Sequence, residues 1–176
     1  MKTMLCVSLI AVLTASFAFA QSQVKKQTVS GITNLVTIES TVACAGAVTP
    51  GSIAEIKKMG FAAIINLREA GEPNSNLEAE AAAAKTAGIN YMHVPFNSSQ
   101  PTVAAVDQFL KVITSAGVTP AFIHCAGGNR AAAMWFVKRA LVDKWETDRA
   151  MAEATELGFS SAALKNFMLE YVKSHK

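Results

Sequence analysis

Short apolar segments alternate with alanine-rich helical segments along most of this chain, and that alternation limits the fold more than any other feature. The apolar segments have the length and the β-branched content of strands. They are "LVTIESTVA" (35–43), "FAAIINL" (61–67), "INYMHVPF" (89–96) and "PAFIH" (120–124). Strands separated by helices imply right-handed crossovers, so the sequence predicts an α/β fold with a mainly parallel sheet of four to five strands, flanked by helices, and a helical C-terminal part.

The helical segments carry their own start and stop signals. The first begins at Pro50 and ends at Gly60, and the second, "LEAEAAAAKTA", ends at Gly88. The third, "TVAAVDQFLKVITSA", has apolar residues along one side, as expected for a helix that packs on a sheet. The remainder of the chain is predicted to be helical, with breaks near 145–147 and 158–160.

The first twenty residues have the pattern of a cleaved secretory signal. Lys2 supplies a positive start, an apolar run follows, and Ala18 and Ala20 are small residues before a cleavage point at Gln21. The run is too short to favour a membrane anchor. We therefore expect a periplasmic or secreted protein, cleaved after Ala20, with no membrane attachment afterwards.

The rest of the chain is predicted to form one domain. Residues 21–33 are polar and are expected to be a flexible leader, which leaves 34–176 for the domain. The formal net charge of +3 is too small to indicate nucleic acid as a partner. The spacing of cysteine and histidine matches no zinc site, and no dinucleotide-binding motif is present, so we expect no metal and no cofactor. The sequence leaves the oligomeric state open.

Two cysteines, Cys44 and Cys125, remain after cleavage. In an exported protein they could form a disulfide, or one of them could be a reactive thiol. Each follows a predicted strand, so parallel strands would bring both thiols to the same end of the sheet. A reversible disulfide there would protect or silence a nucleophile.

The strongest chemical signal is the turn "HCAGGNR" at 124–130, between a predicted strand and a predicted helix. Ligands of parallel sheets gather at the carboxyl ends of strands, and a helix N-terminus attracts anions. Gly127 and Gly128 would allow the backbone amides to turn inward, and Arg130 offers a charged fork for two oxygens of an anion. Cys125 in that field is expected to be ionised and able to attack the anion bound there. His124 is expected to hydrogen-bond the loop backbone and to steady the thiolate.

The segment "IHCAGGNRAA" resembles the phosphate-binding loop of the cysteine-dependent protein tyrosine and dual-specificity phosphatases. It is especially similar to the bacterial phosphatase-like domain of beta-lactamase-hydrolase-like proteins, and the similarity extends over roughly residues 35–160. The resemblance implies the phosphatase-like fold, Cys125 as nucleophile and Arg130 as the arginine that binds the oxyanion. It also implies that the substrate is held by backbone amides of the intervening residues, Ala126, Gly127, Gly128 and Asn129. The reaction would pass through a cysteinyl-phosphate that water hydrolyses.

The spacing within the loop leaves other functions open. Four residues separate Cys125 from Arg130, whereas the larger phosphatase family has five. The shorter loop also resembles that of rhodanese-type sulfurtransferases, and it would suit a persulfide sulfur better than a tetrahedral phosphate. The substrate is therefore expected to be a small phosphorylated molecule or a sulfur oxyanion. A non-catalytic module that binds anions is the third alternative.

The residue that would protonate the leaving group is also open. The resemblance implies a loop aspartate, but the corresponding segment "PFNSSQP" (95–101) contains no carboxylate. Glu69 and Glu72 follow another predicted strand and either could donate a proton. Ala131 occupies a position where the phosphatases usually have a hydroxyl residue. We expect aryl phosphates, which have good leaving groups, to react best.

Overall fold

The computed structural model describes residues 24–38 and 41–176. The predicted signal peptide, residues 1–20, lies outside this range. No helix in the described part of the chain is long and apolar enough to cross a membrane.

Six strands form one sheet in the order β1-β2-β3-β6-β4-β5. Strands β3, β6, β4 and β5 run parallel to one another, whereas β1, β2 and β3 pair in antiparallel fashion. The predicted α/β fold with a mainly parallel sheet is therefore confirmed. The strands are β1 (Val24–Val29), β2 (Ile32–Ile38), β3 (Val42–Ala45), β4 (Ala63–Asn66), β5 (Asn90–His93) and β6 (Ala121–His124).

The N-terminal part of the sheet differs from the prediction. Residues 24–33, expected to belong to a flexible leader, form β1 and the start of β2, which raises the number of strands to six. The segment 35–43, predicted as one strand, contributes to both β2 and β3. The sequence does not reveal the hairpin of β1 and β2, because β1 is an edge strand whose four central residues are exposed. This strand is held by backbone pairing with β2 and carries no apolar pattern.

The helices begin and end close to the predicted residues. A 3₁₀ turn, Pro50–Ser52, leads into α1, and α2 ends at Gly88, which adopts φ +65°. The helices are α1 (Ile53–Lys58), α2 (Leu77–Ala87), α3 (Val103–Ile113), α4 (Asn129–Val137), α5 (Thr147–Glu156) and α6 (Ala162–Ser174). A π-helical turn, Lys138–Val142, extends α4.

Alternate residues of the central strands face two separate apolar layers. Phe122 packs with α1 and α2 on one side of the sheet, whereas Ile123 and Cys125 pack with α3 to α6 on the other. Because successive side chains of a strand point to opposite faces, the ring of His124 lies on the side of α2. The chain therefore places these two neighbouring residues, His124 and Cys125, in different layers at the carboxyl end of β6.

Candidate active site

Cys125 lies at the carboxyl end of a central strand and at the N-terminus of a helix, where the sequence places it. It follows the last residue of β6, and α4 begins four residues later, at Asn129. Its backbone N–H donates to the carbonyl of Ala45 on β3 (3.2 Å), and its side chain is buried. The sulfur therefore has a fixed position between two parallel strands and the start of a helix.

The loop turns a backbone amide toward this sulfur. The N–H of Gly128 donates to Sγ of Cys125 at 3.1 Å. Gly128 adopts φ +101°, which side-chain-bearing residues rarely do, so this glycine is needed for the turn. Gly127 does not have a positive φ, so the expectation that both glycines supply such angles holds for Gly128 alone. The first amides of α4, including those of Asn129 and Arg130, have no partner within the helix and can receive an anion.

Strand β2 and the segment that follows β3 support the loop from the side. The N–H of Ala47 donates to the carbonyl of Ala126 (3.0 Å), and the side chain of Asn34 donates to the carbonyl of Gly127 (3.1 Å). A β-carbon on Gly46 would lie only 3.0 Å from the Ala126 carbonyl, so the two backbones approach as closely as glycine permits. These contacts join residues that are far apart in the sequence, so a sequence pattern does not reveal them.

Arg130 is buried, and four hydrogen bonds hold the end of its guanidinium. Its Nη1 atom donates to the carbonyls of Phe96 (3.0 Å) and Leu67 (3.3 Å). Nη1 and Nη2 also form a two-point ion pair with Glu72, at 2.5 and 2.8 Å. These bonds occupy the end of the guanidinium fork, and Arg130 also interacts with the sulfur of Cys125. The adjacent edge, formed by Nε and the second hydrogen of Nη2, has a geometry that suits an oxyanion.

Glu72 is a partner of Arg130 rather than a proton donor. The hydrogen bond from Arg130 holds the pKa of Glu72 at about 2, against the opposing effect of burial. Burial acts to lower the pKa of Arg130, but Glu72 and the sulfur of Cys125 outweigh it and raise that pKa. Glu72 also accepts a hydrogen bond from Arg68 (3.2 Å). It is therefore ionised at neutral pH, and the expectation that it could supply a proton is wrong.

A cleft of about 540 Å³ opens above the loop. The loop supplies one wall, and the polar residues Asn97 to Gln100 supply another. Glu69 lies in the same cleft, half-buried, with Oε1 accepting from Nδ2 of Asn97 at 3.4 Å. Of the two glutamates considered in the sequence analysis, Glu72 pairs with Arg130, whereas Glu69 lines the cleft and contacts Asn97. The remaining lining residues include Cys125, Arg130 and Ser161.

His124 and Cys44, two further residues of the sequence analysis, do not line the cleft. The ring of His124, expected to bond the loop backbone, points to the other layer, with Nε2 at 3.3 Å from Oε2 of Glu80. Cys44 is a free thiol on β3, as Cys125 is a free thiol after β6. Burial, together with the charge of Cys125, raises the pKa of Cys44 well above the usual value for a thiol. Within residues 24–38 and 41–176, no group of three or more acidic, cysteine or histidine side chains could hold a metal ion.

The conformation of Gly128 leads to a prediction about stability. Gly128→Ala is expected to lower the free energy of unfolding by about 1–2 kcal/mol, because alanine resists a positive φ. The added methyl group would meet only ordinary contacts, the nearest being 3.6 Å from the carbonyl carbon of Ala45. Urea denaturation measures the effect. Gly127→Ala is the control, since no atom lies within 4 Å of its added carbon, and equal losses in both variants would contradict the explanation.

Comparison with known proteins places this loop in a family context. The family model described as "Beta-lactamase hydrolase-like protein, phosphatase-like domain" matches residues 34–142. A beta-lactamase hydrolase-like protein of Xylella fastidiosa is 30% identical over 128 residues, which is 71% of this chain and 29% of that protein. The chain thus spans less than a third of the length of this relative.

Solved structures share the fold at low sequence identity. A DUF442 protein of Shewanella putrefaciens superposes with a TM-score of 0.69 at 18% identity, covering 82% of this chain and 95% of that one. The core catalytic domain of the PP-IP phosphatase SIW14 from S. cerevisiae, in complex with citrate, gives 0.65 at 17% identity, covering 82% and 88%. TpbA of P. aeruginosa, in complex with phosphotyrosine, gives 0.62 at 18% identity, covering 86% and 90%. The predicted phosphatase-like fold is confirmed.

Proposed function

The chain belongs to the family of the phosphatase-like domain of beta-lactamase hydrolase-like proteins, and on this premise we propose that it hydrolyses small phosphomonoesters through Cys125. The observation that carries the proposal is the convergence of donors on one sulfur. The amide of Gly128 already reaches Sγ, Arg130 interacts with the same sulfur, and Arg130 lines the same cleft. Such donors stabilise charge that develops as a phosphoryl group is transferred.

In the first step the thiolate of Cys125 attacks phosphorus. A sulfur–phosphorus bond forms as the bond to the ester oxygen breaks, and the leaving oxygen takes up a proton. The amides of Ala126 to Asn129 and the side edge of Arg130 would hold the three other phosphate oxygens. Glu72 acts by holding the guanidinium, since its two-point ion pair fixes the orientation of that edge.

Glu69 is the proposed donor of the proton. It is half-buried at the wall of the cleft. Its carboxyl group accepts a hydrogen bond from Asn97, which lies in the segment 95–101 that has no acidic residue. In the second step water attacks phosphorus, the bond to sulfur breaks and the thiolate is restored. Ala131 cannot assist the departure of that thiolate as a hydroxyl residue would, so we expect the second step to limit turnover.

The proposal is tested with the purified wild-type protein and an aryl phosphate. We expect release of inorganic phosphate, and mass spectrometry of acid-quenched samples should detect a phosphoryl group on the peptide that contains Cys125. Phosphate release without a modified cysteine would contradict the covalent mechanism. Failure to hydrolyse aryl phosphates would overturn the proposed phosphatase function.

A second candidate, sulfur transfer, is favoured by two features of the same site. The loop between Cys125 and Arg130 is one residue shorter than in the larger phosphatase family, and the wall at 97–100 has no carboxylate. Sulfur transfer from thiosulfate needs no proton donor: the thiolate attacks the outer sulfur, sulfite leaves as an anion, and Cys125 carries a persulfide. Cyanide would then take the outer sulfur and restore the thiolate. Formation of thiocyanate, with no phosphate release from the aryl ester, would favour this candidate.

The role of Glu69 leads to a second prediction. Glu69→Gln is expected to slow hydrolysis of alkyl phosphates by about a hundredfold, because a poor leaving group needs a proton. Aryl phosphates with good leaving groups should be affected much less. Steady-state rates across a series of leaving groups measure the difference. Glu78→Gln, at an exposed position of α2, is the control, and a uniform loss across the series for Glu69→Gln would contradict this role.

We also propose that the protein acts after export to the periplasm or outside the cell. The proposal rests on the signal-like residues 1–20, which precede the described residues. N-terminal sequencing of protein from fractionated cells tests it. A chain that begins at Gln21 is expected, and an intact Met1 in the cytoplasmic fraction would overturn the proposal.

A further inference from the structure

One peptide group of the loop, between Gly127 and Gly128, is held at both of its ends. This peptide is trans, so its carbonyl and its N–H point in opposite directions. The N–H, which belongs to Gly128, donates to Sγ of Cys125 at 3.1 Å. The carbonyl, which belongs to Gly127, accepts from Nδ2 of Asn34 at 3.1 Å. A contact that holds this carbonyl therefore also aims the N–H at the sulfur.

The loop backbone alone does not fix the orientation of this peptide. The carbonyls before and after it, those of Ala126 and Gly128, are held by backbone N–H groups at 3.0 Å each. Within the described residues, the carbonyl of Gly127 accepts from Asn34 alone. Rotation of the peptide changes ψ of Gly127 and φ of Gly128, and neither residue has a β-carbon that would resist it. Half a turn would move φ of Gly128 from +101° into the negative region, which every residue accepts.

A bulge in β2 brings Asn34 to this carbonyl. Thr33 and Asn34 lie opposite the single residue Thr28 of β1, where the pairing register shifts. Asn34 adopts φ +48°, in the left-handed region that asparagine tolerates better than most residues. Bulges commonly redirect a side chain next to an active site. Here the redirected carboxamide reaches a loop that lies 93 residues further along the chain.

Asn34 is not among the residues that line the cleft above the loop. Together with Gly127 and Gly128 it lines a separate cavity of about 520 Å³. Gly127 lines both spaces, so the loop lies between them. Asn34 therefore acts on the loop from outside the space that would hold the substrate.

We propose that Asn34 is a positioning residue that holds the Gly127–Gly128 peptide with its N–H toward Sγ and a bound oxyanion. In the opposite orientation the carbonyl would take the place of the N–H, and its partial negative charge would repel the anion. The inference rests on the proposed function in one respect, that the loop binds an oxyanion. It holds for phosphoryl and sulfur transfer alike.

The test measures the affinity of the Asn34→Gly variant for inorganic phosphate by calorimetry. Glycine accepts the same φ but has no carboxamide, so the variant removes the hydrogen bond without straining β2. We expect phosphate to bind about five- to tenfold more weakly, which is the bias that one hydrogen bond of this kind can give. A folded Asn34→Gly variant that binds phosphate as tightly as the wild type would overturn the inference. A wild-type protein that binds no phosphate would overturn it as well.

Asn76→Gly is the matched control. Asn76 also adopts φ +48° and is exposed, and it precedes α2 without a side-chain cap bond. It does not line the cleft. We expect both variants to show similar small losses of stability in urea, because glycine adds freedom to the unfolded chain, but only Asn34→Gly to lose phosphate affinity. Equal losses of affinity in the two variants would mean that general destabilisation is the cause, which contradicts the inference.

Nitrogen–proton NMR follows the Gly128 amide directly. Its proton signal should move downfield when phosphate is added to the wild-type protein, and it should move much less in Asn34→Gly. If Asn34→Gly does not fold, the wild-type protein is sufficient: phosphate that binds without moving the Gly128 signal would overturn the inference.

Phosphate binding needs no turnover, so these results are separate from those of the assays above. A protein that hydrolyses no aryl phosphate but loses phosphate affinity in Asn34→Gly alone would lose the proposed function and keep this role for Asn34.

Discussion

The Cys125→Ser variant is expected to fold, to retain anion binding and to lose hydrolysis down to background, a loss of at least about a thousandfold. A serine hydroxyl has nearly the same size as the thiol but stays protonated at neutral pH, so it is a much weaker nucleophile. The amide of Gly128 and the guanidinium of Arg130 do not depend on the sulfur for their positions, since α4 and Glu72 hold them. Steady-state hydrolysis of an aryl phosphate and calorimetric titration with inorganic phosphate measure the two properties separately.

Cys44→Ala is the matched control for this variant. Cys44 is the other thiol in the same apolar layer, and it is completely buried on β3. Since burial raises its pKa, it is not expected to act as a nucleophile, and Cys44→Ala should keep most of the activity. Residual turnover in Cys125→Ser that disappears in the double variant would contradict the assignment of the nucleophile. Phosphate binding by a wild-type protein that is inactive toward both aryl phosphate and thiosulfate would instead support a non-catalytic anion-binding module.

The position of Cys125 could be predicted because the signals around it are local in the sequence. "PAFIH" is short, apolar and followed by two glycines, so the end of a buried strand and the turn into a helix are both visible in ten residues. Parallel topology then places Cys125 at the edge of the sheet where ligands collect. The same locality explains why the end of α2 at Gly88 agrees with the structure.

The partners of the loop could not be predicted, because they come from distant parts of the chain. Glu72 and Arg130 are 58 residues apart, and the loop "REAGEPNSN" carries no periodic pattern that would orient either of its glutamates. Glu80 lies in an alanine-rich helix, where a glutamate is ordinarily assigned to the solvent side. Its carboxyl group accepts hydrogen bonds from donors on β4 and β5, so only the assembled sheet identifies it as a buried polar group.

Arg130→Lys is expected to lower kcat/KM by about a hundredfold to a thousandfold, although the positive charge is retained. The end of the guanidinium pairs with Glu72, and its side edge is the proposed contact with an oxyanion. One planar group fixes the relative positions of both surfaces. A lysine ammonium is a single point of charge, so it can satisfy Glu72 or the substrate but cannot present two parallel donors to each. We therefore expect the loss to fall on turnover as well as on substrate binding.

The control for this variant is Arg139→Lys, which changes a paired guanidinium outside the cleft. Arg139 donates to Glu153 (2.7 Å) and Asp143 (2.9 Å), so its replacement also disturbs partly buried ion pairs. It should cost stability while leaving kcat/KM within about a factor of two, because neither carboxylate faces the loop. Equal losses of activity in Arg130→Lys and Arg139→Lys would show that any broken ion pair disturbs the site, and the fork of Arg130 would then have no specific role. If Arg130→Lys kept an activity near that of the wild type, a single positive charge would be sufficient to bind the substrate, and the two parallel donors of the guanidinium would not be needed.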